Sequence, residues 1–136
     1  MPPKIRNQEL LYPELSYKIV GIAFRVYNTL GWGLREAYYQ RAFKEELMRE
    51  HIGFQEQKII KLNYGRKTIA TLIPDFVIKN KIIIDLKVQP KLGYTHIKQV
   101  MSYLKASQLK LAMVIYFTAE GVTYRRIINA SSEKTP

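Results

Sequence analysis

The pattern that most restricts the fold of this chain is a strand, a helix and a strand in succession. Residues 81–88 read KIIIDLKV, residues 95–108 read THIKQVMSYLKASQ and residues 111–117 read LAMVIYF. A strand–helix–strand crossover makes its two strands parallel and lays the helix on the sheet. The first strand also carries an anomaly. Side chains alternate along a strand, so Ile82, Ile84, Leu86 and Val88 share an apolar face while Ile83, Asp85 and Lys87 share the other. An acid and a base thus sit in the most apolar segment, where an unpartnered charge costs several kcal/mol or shifts its pKa.

The rest of the chain supplies the remaining elements. Leu15, Ile19, Ile22, Ala23, Val26 and Leu30 recur at helical spacing from Pro13 onward. The glycines of LGWGL, residues 30–34, end that helix, and a second is expected over about 34–51, stopping near Gly53. Tyr39, Phe43 and Leu47 form its apolar stripe, and Glu45, Glu46, Arg49 and Glu50 its solvated side. Strands are expected over about 54–63, 67–78 and 81–88, with turns at Tyr64-Gly65 and Asn80, and a last strand over 122–128 after Glu120-Gly121. Thr95 is the expected N-cap of the third helix. Short turns make the early strands antiparallel. The expected fold is α/β, a mixed central sheet of about five strands flanked by helices in the order α-α-β-β-β-α-β-β. One domain is expected over residues 13–130, with 1–12 and 131–136 as loose ends.

With 136 residues, 47% of them hydrophobic, the chain can build one adequate core. Cysteine is absent, which excludes a disulfide framework and thiolate metal sites. No apolar run reaches the ~18 residues of a membrane span, and the N-terminus lacks the apolar stretch of a signal peptide, so a cytoplasmic location is the default expectation. Lys and Arg number 22 against 11 Asp and Glu, a net charge of +11, which favours a polyanionic partner. The basic residues are scattered rather than gathered into the polybasic block of a lipid-docking segment, so nucleic acid is preferred to a membrane surface.

Asp75 and Asp85 lie five residues either side of Asn80. A hairpin centred there sets them opposite each other, Cβ atoms about 4.5–5.5 Å apart. Two carboxylates that close repel, so one is protonated or a cation holds both. Oxygen donors suit Mg²⁺ or Mn²⁺. A one-residue slip would send the two to opposite faces. Pro74 cannot donate to a ladder and marks an irregularity just before Asp75.

Pro74-Asp75 followed by Asp85-Leu86-Lys87 resembles the motif of the PD-(D/E)XK nuclease superfamily. Gly33-Leu34-Arg35-Glu36-Ala37-Tyr38-Tyr39 is similar to the pattern that names the GxxExxY proteins within it. The resemblance runs from about Leu15 to Ile128. It implies a nuclease that uses a divalent metal, Mg²⁺ or Mn²⁺, to hydrolyse phosphodiester bonds. Glu36, Asp75 and Asp85 would be the metal ligands and Lys87 the motif lysine. Gln99 and Tyr103, four apart on the third helix, resemble the QxxxY element of exonuclease-like branches, and His96 joins their face by spacing. Asp85 departs from the glutamate usual in GxxExxY relatives, shortening the reach to a metal by one methylene. Lys91, Lys98, Lys105, Arg125 and Arg126 would hold the sugar-phosphate backbone.

Each of these residues has a plainer role to set beside the catalytic one. Asp85 and Lys87 could form a structural ion pair. Glu36 near a helix start complements the helix dipole. Gln99 and Tyr103 could pack at the helix–sheet seam, and His96 reads as an ordinary first-turn residue. Trp32, Tyr38 and Tyr39 read as core or loop anchors, and Gly31 and Gly33 as backbone geometry. The rival functions are a nucleic-acid-binding module that keeps the fold without cutting, and a nuclease active only with a partner or as a homodimer.

Overall fold

The structure, a computed structural model, describes residues 11–90 and 95–129, and of Thr95 the backbone alone. Helices α1 (Pro13–Leu30) and α2 (Glu36–Arg49) precede strands β1 (Phe54–Glu56), β2 (Ile60–Tyr64), β3 (Lys67–Leu72), β4 (Phe76–Ile78) and β5 (Ile82–Val88); α3 (Thr95–Ser107), β6 (Leu111–Thr118) and β7 (Gly121–Ile128) follow. The central sheet has five strands in the order β1-β4-β5-β6-β7. β5 and β6 are parallel, as the crossover requires, and the other neighbours are antiparallel. This is the mixed α/β sheet with flanking helices read from the sequence. The expected N-cap, Thr95, begins α3, and its side chain lies outside the described residues.

The two expected strands at 54–63 and 67–78 each prove to be two. Among the described residues, β2 and β3 pair only with each other, in a separate two-stranded sheet. The breaks have local causes. Gln57 takes a left-handed backbone (φ 51°) and turns the chain away after β1. Pro74 interrupts the other run, so β3 stops at Leu72 and β4 starts at Phe76. Lys79 and Asn80, with φ 51° and 55°, make the tight turn between β4 and β5, closed by the Lys81 N–H donating to the Ile78 carbonyl at 2.8 Å.

Both sheet faces are covered, which explains the apolar density of β5 and β6. Ile82, Ile84 and Leu86 face Ile19, Ile22 and Val26 of α1 and Tyr39, Phe43 and Leu47 of α2. Ile83 faces the other way, with Val114 and Tyr116 of β6, onto Val100, Tyr103 and Leu104 of α3. Aromatic contacts tie α2 to the sheet: the Tyr39 ring lies 4.7 Å from that of Phe117, and Phe43 lies 5.4 Å from Phe76. The Tyr39 hydroxyl donates to the Gly31 carbonyl, closing the glycine-rich link between α1 and α2. Tyr39 is therefore the anchor the sequence suggests, whereas Trp32 and Tyr38 are exposed. Glu46 and Glu50 differ from their expected solvated role: both pair with Arg25 of α1. Leu11 and Tyr12, expected in a loose N-terminal segment, pack against the core. Among the described residues, no helix is long and apolar enough to cross a membrane.

Candidate active site

The β4–β5 register decides whether the two aspartates meet. Phe76 pairs with Ile84, Val77 with Ile83 and Ile78 with Ile82. Extending the ladder one step sets Asp75 opposite Asp85, as expected for a turn centred on Asn80. The carboxylates cross over. Asp85 Oδ1 accepts from the Asp75 N–H at 3.0 Å, and Asp75 Oδ2 accepts from the Leu86 N–H at 2.7 Å. Each acid thus braces the strand of the other, and the backbone amides freed where Pro74 breaks the ladder find side-chain partners.

Bracing does not neutralise the pair. Burial raises the Asp75 pKa above the usual carboxylate range, against the Leu86 amide that lowers it. Asp85 is only 2% exposed, and burial, reinforced by the Asp75 charge, pushes its pKa up to about 7. Near neutral pH Asp85 is therefore partly protonated in the metal-free chain, and its titration is tied to the Asp75 charge. The Lys87 ammonium stands 3.8 Å from Asp85 Oδ2 and opposes both shifts. At that length it is a partial counter-charge rather than a tight ion pair.

Glu36 opens α2 and reaches the pair through an intermediary. Gln40, one turn on, donates from Nε2 to Asp75 Oδ1 at 3.0 Å and lies 3.4 Å from Glu36 Oε2. Among the described residues no three His, Asp or Glu side chains are grouped tightly enough to hold an ion as they stand. The expected three-carboxylate cage is therefore not closed: the two aspartates meet, and Glu36 stands behind the Gln40 amide. The donor set nevertheless suits a hard divalent cation. It consists of carboxylate oxygens with a lone pair to spare, and the pKa values, raised first by burial and only partly offset by Lys87, show that their charged forms are under-compensated. Asp75, Asp85 and, once Gln40 yields, Glu36 would hold it.

α3 closes the site from the other side. The Tyr103 hydroxyl hydrogen-bonds Asp85, and burial followed by the two aspartate charges raises its pKa. Tyr103→Phe should lower stability at pH 8 by about 1 kcal/mol, read from urea unfolding, because the ionised Asp85 loses a donor. Gln99 is exposed, so the QxxxY pair expected on one face is divided between the carboxylates and solvent. His96 shows the reverse. Read as an ordinary first-turn residue, its ring lies 5.9 Å from that of Tyr116, and burial and the Lys87 charge lower its pKa. Gln40 is the residue that sequence reasoning missed, although its spacing of four from Glu36 puts it on the same helix face.

The expected backbone-binding residues do not form one surface. Lys98 and Lys105 are exposed on α3. Arg125 and Arg126 are successive on β7, opposite Val114 and Met113, and so belong to opposite faces. Arg126 donates to the Leu11 carbonyl on the α1 side, a structural tie. Lys91 lies outside the described residues.

A family model described as PD-(D/E)XK nuclease superfamily matches residues 13–127. The chain belongs to the PD-(D/E)XK nuclease superfamily. Among solved structures, that of SSO0001 is similar at 16% identity and a TM-score of 0.56, over 90% of this chain and 61% of that one. The present chain thus spans less than two thirds of the length of that relative, and the similarity shows the fold. The phage related exonuclease from Haemophilus somnus 129PT matches at 12% identity and a TM-score of 0.47, over 94% of this chain and 79% of that one. The alkaline exonuclease LHK-Exo from Laribacter hongkongensis matches at 9% identity and a TM-score of 0.41, over 83% and 81%. No curated protein matches the sequence.

Proposed function

We propose that the protein is a nuclease of the GxxExxY type that needs Mg²⁺ or Mn²⁺ and hydrolyses phosphodiester bonds, with DNA as the expected substrate. The observation that carries this reading is the crossed Asp75–Asp85 pair, desolvated and short of positive charge, with a lysine beside it. A purely structural pair gains little from this arrangement, since two like charges are buried together and only partly compensated. When bound, the ion supplies Lewis-acid polarisation of a phosphoryl oxygen and lowers the pKa of water. Asp75 and Asp85 are held by backbone amides, so their oxygens are oriented before any ligand arrives. Tyr103 keeps Asp85 in place from α3. Lys87, on the same face as Asp85, puts a cation where phosphate charge develops and can orient the attacking water. The net charge of +11, with Lys98 and Lys105 exposed on α3, suits attraction of a polyanion, and phosphate contacts of this kind carry no sequence specificity.

The test is cleavage of single-stranded, duplex and branched DNA, and of RNA, with Mg²⁺ or Mn²⁺ and an Asp85→Ala control. Metal-dependent cleavage by the wild type alone supports the proposal. Equal degradation by both chains marks a contaminant. Binding without cleavage in either metal leaves a non-cleaving nucleic-acid module, and activity that appears only in dimer fractions marks an assembly-dependent nuclease.

A further inference from the structure

Residues 57–74 read QKIIKLNYGRKTIATLIP, with the cations Lys58, Lys61, Arg66 and Lys67 and no acid, in a chain that holds 11 acids elsewhere. The segment forms the β2–β3 ribbon, a sheet of its own. The Gln57 N–H donates to the Asp75 carbonyl at 3.0 Å, so the ribbon is rooted at the candidate active site. Its two faces differ. Ile60, paired with Leu72, packs with Val100 and Leu104 of α3. On the other face Lys61 pairs with Thr71 and Asn63 with Thr68, and all four are exposed, as are Lys58, Arg66 and Lys67. Among the described residues none of the four cations has an ion-pair partner. Thr68 Oγ1 donates to Asn63 Oδ1 at 2.9 Å, which fixes the carboxamide and leaves its NH₂ to donate outward.

Lysines on a sheet edge can serve only to block pairing with another strand, and charge on a surface can serve only solubility. A surface that serves solubility mixes both signs. This one has a single sign, and its outward face adds amide and hydroxyl donors, which suits a polyanion with acceptors between its charges. The shape narrows the choice. Two strands about 4.8 Å apart make a ribbon that the major groove of B-form DNA, about 12 Å wide, admits and the minor groove, about 6 Å wide, does not. The major groove of an RNA duplex is too narrow for side chains to read. Single strands are held by stacking bases on a series of aromatic rings, whereas this ribbon has one aromatic, Tyr64, at its tip. Ile69, which the register shift leaves without a cross-strand partner, is 61% exposed and offers the apolar surface that a thymine methyl requires.

We propose that the β2–β3 ribbon is a DNA-binding arm that lies in the major groove of a B-form duplex. Its five-residue ladder, about 16 Å long, covers about five base-pair steps. The proposal deepens the nuclease reading, on which it rests for nucleic acid as the partner, and names duplex DNA as the substrate class.

The experiment measures binding of the full-length chain in EDTA, by fluorescence anisotropy, to a 20-base-pair DNA duplex, the RNA duplex of the same sequence and the single DNA strand. Two triple variants carry the same change in charge: Lys61→Gln with Arg66→Gln and Lys67→Gln on the ribbon, and Lys18→Gln with Arg41→Gln and Lys79→Gln on exposed positions of α1, α2 and the β4–β5 turn. The DNA duplex should bind at least about tenfold tighter than the other two polymers. The ribbon variant should bind it about 30-fold more weakly, with the salt slope reduced by about 2–3, and the control variant should lose less than about threefold. Guanine N7 lies in the major groove, so the wild type should shield about five base pairs from dimethyl sulfate and the ribbon variant should not. Equal losses in the two variants, single-strand binding as tight as duplex binding, or unshielded N7 in the bound duplex overturns the arm. So does a dimer in light scattering that the ribbon variant abolishes, which would make the ribbon an interface between copies. Cleavage does not enter the readout. A chain that binds through the ribbon yet never cuts with Mg²⁺ or Mn²⁺ keeps the arm and loses the nuclease reading, and a chain that cuts but is indifferent to the ribbon variant does the reverse.

Discussion

Asp85→Asn should abolish metal-dependent cleavage while making the metal-free protein more stable above pH 7. Loss of a metal-binding carboxylate is expected to cost about 10³-fold in single-turnover cleavage, roughly 4 kcal/mol of transition-state stabilisation. The gain in stability follows from linkage. The Asp85 pKa is about 7 in the folded chain and near 3.8 for a free side chain, so between those values the folded state holds a proton that the unfolded state has released. Stability is therefore unaffected below about pH 4, falls as pH rises toward 7, and carries the full cost above it. The shift sets an upper figure of about 4 kcal/mol. The asparagine amide fits the crossed hydrogen bonds imperfectly, so a net gain of about 1–2 kcal/mol at pH 8 is expected, a rise in Tm of roughly 3–8 °C. At pH 4 the gain should vanish. A residue serving only structure would destabilise the fold when replaced; one that destabilises the fold in order to bind an ion does the opposite.

Lys87→Ala should separate chemistry from metal binding. The ammonium is 3.8 Å from Asp85 and is not a ligand. Its loss should lower cleavage about 10²–10³-fold, the range for removing a preorganised charge from a reacting phosphate. Mn²⁺ affinity at pH 8.5, measured calorimetrically, should change less than about threefold. Lys87 lowers the pKa of His96, so the His96 titration midpoint should rise in the variant. A large loss of Mn²⁺ binding together with cleavage would instead show that Lys87 acts only by orienting Asp85.

Much of this site is legible in the sequence because it depends on period and register. The two-residue period of β5 separates Ile82, Ile84 and Leu86 from Ile83, Asp85 and Lys87, and the structure seats the two sets against different helices. The symmetric spacing of Asp75 and Asp85 about Asn80 gives the observed pairing. What the spacing does not carry is the departure of β2–β3 from the sheet. Segments 54–63 and 67–78 carry no glycine and each reads as one strand; the unsignalled left-handed turn at Gln57 divides the first, and Pro74 divides the second. The sequence also does not show how far a helix residue reaches. Glu36 is placed near the aspartates by family resemblance, but whether its carboxylate arrives directly or behind Gln40 depends on how α2 docks through Tyr39 and Phe43. His96 reads from the sequence only as a first-turn residue for the same reason: its neighbours Lys87 and Tyr116 come from two strands, and no local pattern brings them together.

The most direct test of the account is a crystal soaked in Mn²⁺ at pH 8 and searched for anomalous signal. The account predicts a peak between Asp75 and Asp85, about 2.0–2.3 Å from an oxygen of each, with the Gln40 amide withdrawn and Glu36 in its place or bound through water. A fully loaded crystal in which manganese lies elsewhere, with the two carboxylates still bonded only to the Asp75 and Leu86 amides, would contradict it.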